Sequence, residues 1–493
     1  MKRLLLCALI TLSAAAMAQT ARTFTVNISP DGASSMTAFL PEKPTGRAIV
    51  DLPGGGYSHL SMNNEGLDWA EWMNRRGIAY FVLTYRMPKG DRTVPVSDAE
   101  QAMRTVRDSA AVWGINPYDV GIMGFSAGGH LASTVSTHSE LSVRPDFSIL
   151  FYPVISMNER ETHKGSVDNF LGQSKGDRQL VREFSNQNAV RRHLTPPAII
   201  LLANDDRAVP PVTNGIAYYS AMRNAANECA LHVYPTGGHG FGIRSTFKYH
   251  EQMLSDLDTW LRNHKAPRRD ALRVACIGNS ITDGHGIDMA SQQGYPALLQ
   301  RLLGDGYNVR NYGVSARTLL NRGDHPYMQE MAWSDAVELH PDIVVLKLGT
   351  NDSKPENWHY GSEFEQDLRQ LITTLRPDLL VKASKKQKKS KKGVATAAPK
   401  PDIYVCTPIP AFKSTWNISD SVITNHIIPI QQRVACEYGL KVIDLHTLFA
   451  DDGDTSPMSR TQRELMLSDG IHPNQKGAQR MAEIIAAAIK KEL

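Results

Sequence analysis

The 493-residue sequence is poor in cysteine, with five, and in aromatic residues, at 7%. No two cysteines form a C-x-x-C pair, which argues against a dithiol redox motif or a cysteine-held zinc site. H-E-x-x-H, Cys/His clusters and a P-loop are missing as well, and with them the signatures of zinc hydrolysis and nucleotide chemistry. No metal and no cofactor is expected. Beyond the first eighteen residues no apolar run approaches the roughly 20 residues that span a bilayer, so no membrane span is expected. Nor is there a long oily stretch that could cover a lipid-binding site.

Charge of one sign is scarce except in one place. The formal net charge is +4, but seven lysines crowd between Lys382 and Lys392, and Lys2 and Arg3 stand in a leader-like start. Removing those nine positive charges from +4 leaves −5. Nucleic-acid binding would rest on the lysine insert alone, and none is expected. The insert, about 382–400, is rich in Lys, Ser, Ala and Pro and reads as a disordered spacer. The start itself, Lys2-Arg3 followed by an apolar run and Ala16-Met17-Ala18, predicts a signal peptide over 1–18 with cleavage after Ala18. That implies a periplasmic or secreted protein. Cys276 and Cys406 fall in strand-like runs and read as small buried hydrophobes.

What the chain has in quantity is alternation. Residues 21–266 predict strands at 22–28, 48–52, 78–85, 147–154, 198–202 and 230–234, with helices at 65–74, 97–113, 214–226 and about 247–262. Residues 263–271 are polar and basic, without apolar periodicity, and read as a linker. A second series, 272–493, predicts strands at 272–277, 309–312, 343–348, 403–406 and 442–445. Two α/β domains follow, each a three-layer α/β/α arrangement about a largely parallel sheet.

In the first series an apolar run ends in Gly124-Phe125-Ser126-Ala127-Gly128, and a small-residue helical pattern follows. A G-x-S-x-G motif alone arises by chance in roughly one chain in six of this length, judged from average residue usage. Gly172-Gln173-Ser174-Lys175-Gly176 is a second copy, without a β-branched run before it. Context separates the two: strand, tight turn and helix lift a serine hydroxyl clear of a sheet. Acyl transfer also needs an imidazole base, a carboxylate to orient it and donors for the oxyanion. Asp205-Asp206 closes the strand at 198–202, and His239 lies in the glycine-rich loop after the next strand. The order Ser, Asp, His is that of α/β-hydrolases, and Pro53-Gly54-Gly55-Gly56-Tyr57 sits where those enzymes carry an oxyanion loop.

These motifs, with Asp205-Asp206-Arg207-Ala208-Val209-Pro210 and Gly237-Gly238-His239-Gly240-Phe241, make residues 21–266 resemble the esterase branch of the α/β-hydrolases, near bacterial acetyl-xylan and feruloyl esterases. The resemblance implies Ser126 as nucleophile, Asp206 as acid, with its neighbour Asp205 the alternative, and His239 as base. Gly54, Gly55 and Ala127 would form the oxyanion hole, with Tyr57 near the substrate. His130, beside the elbow, reads as a packed helix residue.

The second series carries Gly278-Asn279-Ser280-Ile281-Thr282-Asp283-Gly284 after its first strand and Asn311-Tyr312-Gly313 after its second. Gly349-Thr350-Asn351-Asp352 follows the third, and Ser468-Asp469-Gly470-Ile471-His472-Pro473 stands near the end. Four blocks in this order resemble the SGNH (GDSL-type) hydrolases, which implies a flavodoxin-like fold. Ser280 would attack, with Asp469 and His472 as orienter and base on one local turn. The Ser280 and Gly313 N–H groups and the Asn351 amide would hold the oxyanion. Asn279 replaces the usual aspartate of the first block without touching the triad. Asp283 and Asp352 read as loop hydrogen-bonders, and Trp358 and Trp416 as candidate sugar-stacking rings.

The expectation is an exported tandem serine esterase that removes O-acetyl groups from an acetylated oligo- or polysaccharide such as xylan. O-acetylated sialic acid or feruloyl esters remain alternative substrates. A single working domain beside a sugar-binding module, or adhesion through the lysine insert, are alternative roles. Oligomeric state is not legible.

Overall fold

The computed structural model describes residues 22–380, 400–450, 456 and 459–491. The expected signal peptide and, but for Lys400, the lysine insert lie outside the described residues.

Apolar runs without polar alternation become central parallel strands, because both faces of such strands are covered. β3 (Ala48–Leu52), β5 (Val120–Phe125) and β7 (Ala198–Ala203) are buried along their whole length. They join β1 (Arg22–Asn27), β2 (Ser35–Leu40), β4 (Ala79–Thr84), β6 (Ser148–Phe151) and β8 (Cys229–Tyr234) in one sheet of order β1-β2-β4-β3-β5-β6-β7-β8. Only the pairings of β2 with β1 and β4 are antiparallel. β2 was not expected from the sequence. Its mixed residues, SMTAFL, alternate half-buried and buried, the pattern of an outer strand with one covered face.

A second sheet holds β9 (Leu272–Gly278), β10 (Tyr307–Gly313), β11 (Ile343–Lys347), β12 (Asp402–Cys406) and β13 (Lys441–Ile443), all parallel, in the order β10-β9-β11-β12-β13. This is the flavodoxin-like winding, with its reversal of strand order beside β9. Successive residues of one strand enter different cores, which is the three-layer arrangement seen from inside. Val50 and Leu52 pack on one face of the first sheet and Ile49 on the other. Ala275 and Ile277 pack on one face of the second, Val274 and Cys276 on the other. Each of the fully buried Val, Leu and Ile side chains among them contributes about 1.5–3 kcal/mol of transfer free energy. Cys276 and Cys406 are buried free thiols in β9 and β12.

The two domains touch through polar groups. Arg144 and Asp335 form an ion pair at 2.6 Å with side chains only 4% and 6% exposed. Glu338 accepts from the N–H groups of Leu141 and Ser142, and Arg310 pairs with Asp146. The stretch expected as a linker runs between the helix His250–Asn263 and β9. It is held from both sides: Asn116 donates to the Pro267 carbonyl, and the Arg268 N–H donates to the Asp305 carbonyl.

Candidate active sites

β5 ends at Phe125, and the helix Ser126–His138 begins at once. Ser126 takes φ of 53°, a left-handed conformation that a serine adopts only under constraint. The constraint is close contact on both sides. A Cβ on Gly124 would lie 2.3 Å from the Gly128 carbonyl oxygen, and one on Gly128 would lie 2.0 Å from that of Leu52. Glycine at both positions lets the turn close against the end of β3.

Around this turn the predicted partners assemble. The Ser126 hydroxyl lies 2.8 Å from His239 Nε2, and His239 Nδ1 lies 2.7 Å from Asp206 Oδ2. The other Asp206 oxygen accepts from the Ala208 and Val209 N–H groups, so the carboxylate is fixed from two sides. Asp205 points elsewhere: it accepts from the Gly238 N–H at 2.8 Å and anchors the loop that carries His239. Between an anionic Asp206 and the serine, the imidazole carries its proton on Nδ1 and offers Nε2 as acceptor. A cleft of about 480 Å³ opens over Ser126, bordered by Gly55, His59, His163, Asn169 and Arg244.

The oxyanion loop departs from expectation at Gly54. Its N–H donates to Glu65 Oε2 at 3.0 Å, while Glu65 Oε1 accepts from the Tyr152 hydroxyl at 2.8 Å. Burial raises the Glu65 carboxyl above its usual pKa against those hydrogen bonds. The Gly55 N–H has no acceptor among the described residues, and Ala127, in the first helical turn, has no intrahelical one. Two donors therefore remain where three were expected. The sequence places Glu65 at the start of a helix over 65–74. Helical structure in fact begins at Leu67, and the glutamate sits beneath the loop.

Tyr57 is a second correction. It is 1% exposed, its ring packs 5.0 Å from Phe170, and its hydroxyl donates to His130 Nδ1. It is a core residue and does not reach the cleft. His130 is fully buried, its Nε2 facing the Phe184 carbonyl, and burial depresses its pKa to about 4. Ser174 lies in a 3-10 turn over Gly172–Gly176, neither after a strand nor before a long helix.

The second site is built on ordinary turns. Gly278 ends β9, since a Cβ there would meet the Thr282 hydroxyl at 2.0 Å. Asn279 caps the next turn by accepting from the Ile281 N–H, and Ser280 begins the short helix Ser280–Asp283. The Ser280 hydroxyl lies 2.7 Å from His472 Nε2, and His472 Nδ1 lies 3.0 Å from Asp469 Oδ2. Asp469 Oδ1 accepts from the Ile471 and His472 N–H groups. Burial works against ionisation of Asp469, yet these N–H groups and the His472 ring hold its carboxyl below the usual range. Burial is also the largest influence on His472 and keeps its pKa below normal despite the carboxylate.

The expected oxyanion donors here divide. Asn351 gives one amide hydrogen to the Arg317 carbonyl at 3.1 Å and keeps a second. The Ser280 N–H has no acceptor among the described residues. Gly313 departs from expectation, because its N–H is taken by Asn311 Oδ1 at 2.8 Å. The glycine is still required sterically: a Cβ would lie 2.2 Å from the Asp283 nitrogen. Asp352 accepts from the Leu320 N–H, and burial pushes its carboxyl up to about 6.

The two tryptophans part company. Trp416 is 53% exposed and its ring lies 5.5 Å from that of His472. Trp358 packs against Phe364 and the core of the second domain. Two groups beside this site were not read from the sequence. The His285 ring lies 4.4 Å from that of His472, and Lys347 is fully buried at the end of β11, its pKa driven down to about 7 by desolvation. Among the described residues no cluster of side chains could hold a metal ion, and no helix is long and apolar enough to cross a membrane.

Comparison with known proteins covers both halves. Residues 49–243 match the model of the alpha/beta hydrolase fold family, and residues 276–480 that of the GDSL-like lipase/acylhydrolase family. An acetylxylan esterase of Xylanibacter ruminicola is 62% identical over 490 residues, spanning 99% of this chain and 100% of its own. Endo-1,4-beta-xylanase B of Butyrivibrio fibrisolvens is 34% identical over 210 residues, 40% of this chain and 32% of that one. Among solved structures, the acetyl ester-xyloside bifunctional hydrolase of Caldicellulosiruptor lactoaceticus shares 33% identity and aligns with a TM-score of 0.43. That alignment covers 46% of this chain and 87% of the other.

Proposed function

The chain belongs to the family of the Xylanibacter ruminicola acetylxylan esterase, and on that premise we propose that it removes O-acetyl groups from acetylated xylan with two serine esterase sites. The observation that carries this reading is the pair of complete Ser–His–Asp relays, each hydrogen-bonded from hydroxyl to carboxylate.

In the first site His239 takes the Ser126 proton as the oxygen attacks the acetyl carbonyl. The oxyanion that forms is met by the Gly55 and Ala127 N–H groups. His239 then protonates the sugar oxygen as its bond to the acetyl carbon breaks, freeing a sugar hydroxyl and leaving acetyl-Ser126. Water, deprotonated by the same imidazole, releases acetate and restores the serine. In the second site Ser280, His472 and Asp469 take the same parts, with the Ser280 N–H and the Asn351 amide at the oxyanion. Two esterases on one chain suit a polymer acetylated at several ring positions. Each site takes a different regioisomer, and linkage keeps the second at high effective concentration near the first. Export through the leader ending at Ala18 brings the enzyme to that polymer.

The test makes Ser126→Ala and Ser280→Ala separately and together, and follows acetate release from acetylated xylan by NMR. Each single variant is expected to spare a different acetyl position, and the double variant to be inactive. Loss of all activity in one single variant would sink the division of labour.

A further inference from the structure

The long connection between β6 and β7 belongs to the first domain but touches both sites. His163, early in it, borders the cleft over Ser126. Thirty residues later, Arg192 and His193 reach the second domain at Asp283, the last residue of the turn that begins with Ser280. We infer that Arg192 and His193 are positioning residues of the second site, supplied by the first domain, and that they hold the Ser280 turn in register with its oxyanion side. This rests on Ser280 being the second nucleophile.

The contacts are specific. His193 Nε2 lies 2.9 Å from Asp283 Oδ1 and 2.8 Å from the Asp283 carbonyl oxygen. Both are acceptors, so this nitrogen carries the proton. The Arg192 guanidinium bonds the same carboxylate through Nε and the Asp283 carbonyl through an outer nitrogen. The other carboxylate oxygen accepts from the Ser315 hydroxyl, on the loop after β10. Asp283 thus joins three pieces: the nucleophile turn, the loop following Gly313, and the first domain. Burial opposes the charge on Asp283, yet His193 and Arg192 keep its carboxyl below the usual range.

The clamp also borders the Asn311 side chain. Asn311 Nδ2 lies 3.3 Å from His193 Nε2 and donates to the Thr282 carbonyl, while its Oδ1 takes the Gly313 N–H. The His193 ring therefore limits where Asn311 can move, and with it the Gly313 N–H. His193 itself is built into place. It holds φ of 62°, its N–H donates to Asn227 Oδ1, and Asn227, buried, returns a bond to the Arg191 carbonyl.

The experiment uses the full chain in the Ser126→Ala background, where acetate release from 4-nitrophenyl acetate reports the second site alone. Arg192→Ala with His193→Ala is expected to lower kcat by about 10²-fold, the cost of a displacement on the order of 1 Å, with KM nearly unchanged. His193→Gln, which keeps an N–H donor, recovers most of the loss in an otherwise unaltered clamp. In the Ser280→Ala background the double substitution leaves first-site activity intact, which separates positioning from unfolding. Arg223→Ala removes another cross-domain ion pair, Arg223–Asp288, which is solvent-exposed and outside the Ser280–Asp283 turn, and leaves second-site kcat unchanged. An unaltered kcat in the double variant, or an equal loss in Arg223→Ala or at the first site, would overturn the inference. A Ser126→Ala chain without any activity would overturn the reading of Ser280, and this inference with it.

Discussion

Ser126 stands in a left-handed turn held shut by two glycines, whereas Ser280 occupies the first position of a capped helical turn with no such strain. The partners differ in the same sense. Asp206 and His239 come from two loops 33 residues apart, while Asp469 and His472 share one turn at i and i+3. Even the orienting acids are held alike, each accepting two backbone N–H groups just after it in sequence. The relay is thus set by what each atom must do, and the backbone beneath it is free to differ. The oxyanion donors reverse the contrast. In the proposed mechanism the first site uses main-chain N–H groups, and the second adds the amide hydrogen that Asn351 does not give to Arg317.

The sharpest way to break the comparison is at the acids. Asp206→Asn and Asp469→Asn leave shape intact but favour the wrong imidazole tautomer, and each is expected to lower kcat at its own site by about 10⁴-fold. Measurement of 4-nitrophenyl acetate hydrolysis in the Ser280→Ala and Ser126→Ala backgrounds, respectively, reads each effect separately. An effect below tenfold at either site would mean that the two relays are not equivalent.

Next in size is the donor that only one site can lose. Asn351→Ala is expected to cost the second site about 10²–10³-fold in kcat and the first site nothing, read in the same two backgrounds. A loss confined to KM would reassign Asn351 to substrate binding.

A smaller effect lies in pH. His472 acts as base only when neutral, and its pKa lies below the ordinary histidine value of 6.5. As pH falls, protonation and loss of second-site activity therefore reach their midpoint below pH 6.5. The kcat/KM profile of the Ser126→Ala protein should place the midpoint of its acid limb there, and a midpoint above 6.5 would contradict the buried setting of that ring.

The smallest expected effect separates the two tryptophans. Trp416→Ala is expected to raise second-site KM for an acetylated xylo-oligosaccharide about 2- to 10-fold, the worth of one aromatic contact, without moving Tm. Trp358→Ala should do the opposite, lowering Tm and leaving KM alone, because its half-buried ring packs against the core of the second domain.

Much of this is legible in the sequence. Ser126, Asp206, His239, Ser280, Asp469 and His472 stand in short motifs whose turn chemistry is local, and the chain brings both sets within hydrogen-bonding distance. The central strands were equally plain, since a strand covered on both faces must be apolar throughout. β2 was missed because an outer strand of mixed residues carries no such run. Tyr57 was misplaced because a tyrosine beside a glycine loop can face the cleft or the core, and only the packing of Phe170 and His130 decides.

By itself, then, the sequence determined the central strands and the order of the motifs, because a strand covered on both faces must be apolar throughout and each motif is a run of a few neighbouring residues. The tertiary structure alone decided where the Gly54 and Gly313 N–H groups point, that Glu65 lies under the oxyanion loop, and that Arg192 and His193 grip Asp283. Each of those is a hydrogen bond between groups brought together only by folding, and an N–H taken by one acceptor is no longer offered to another. That choice belongs to the packed chain and cannot be read from the motif.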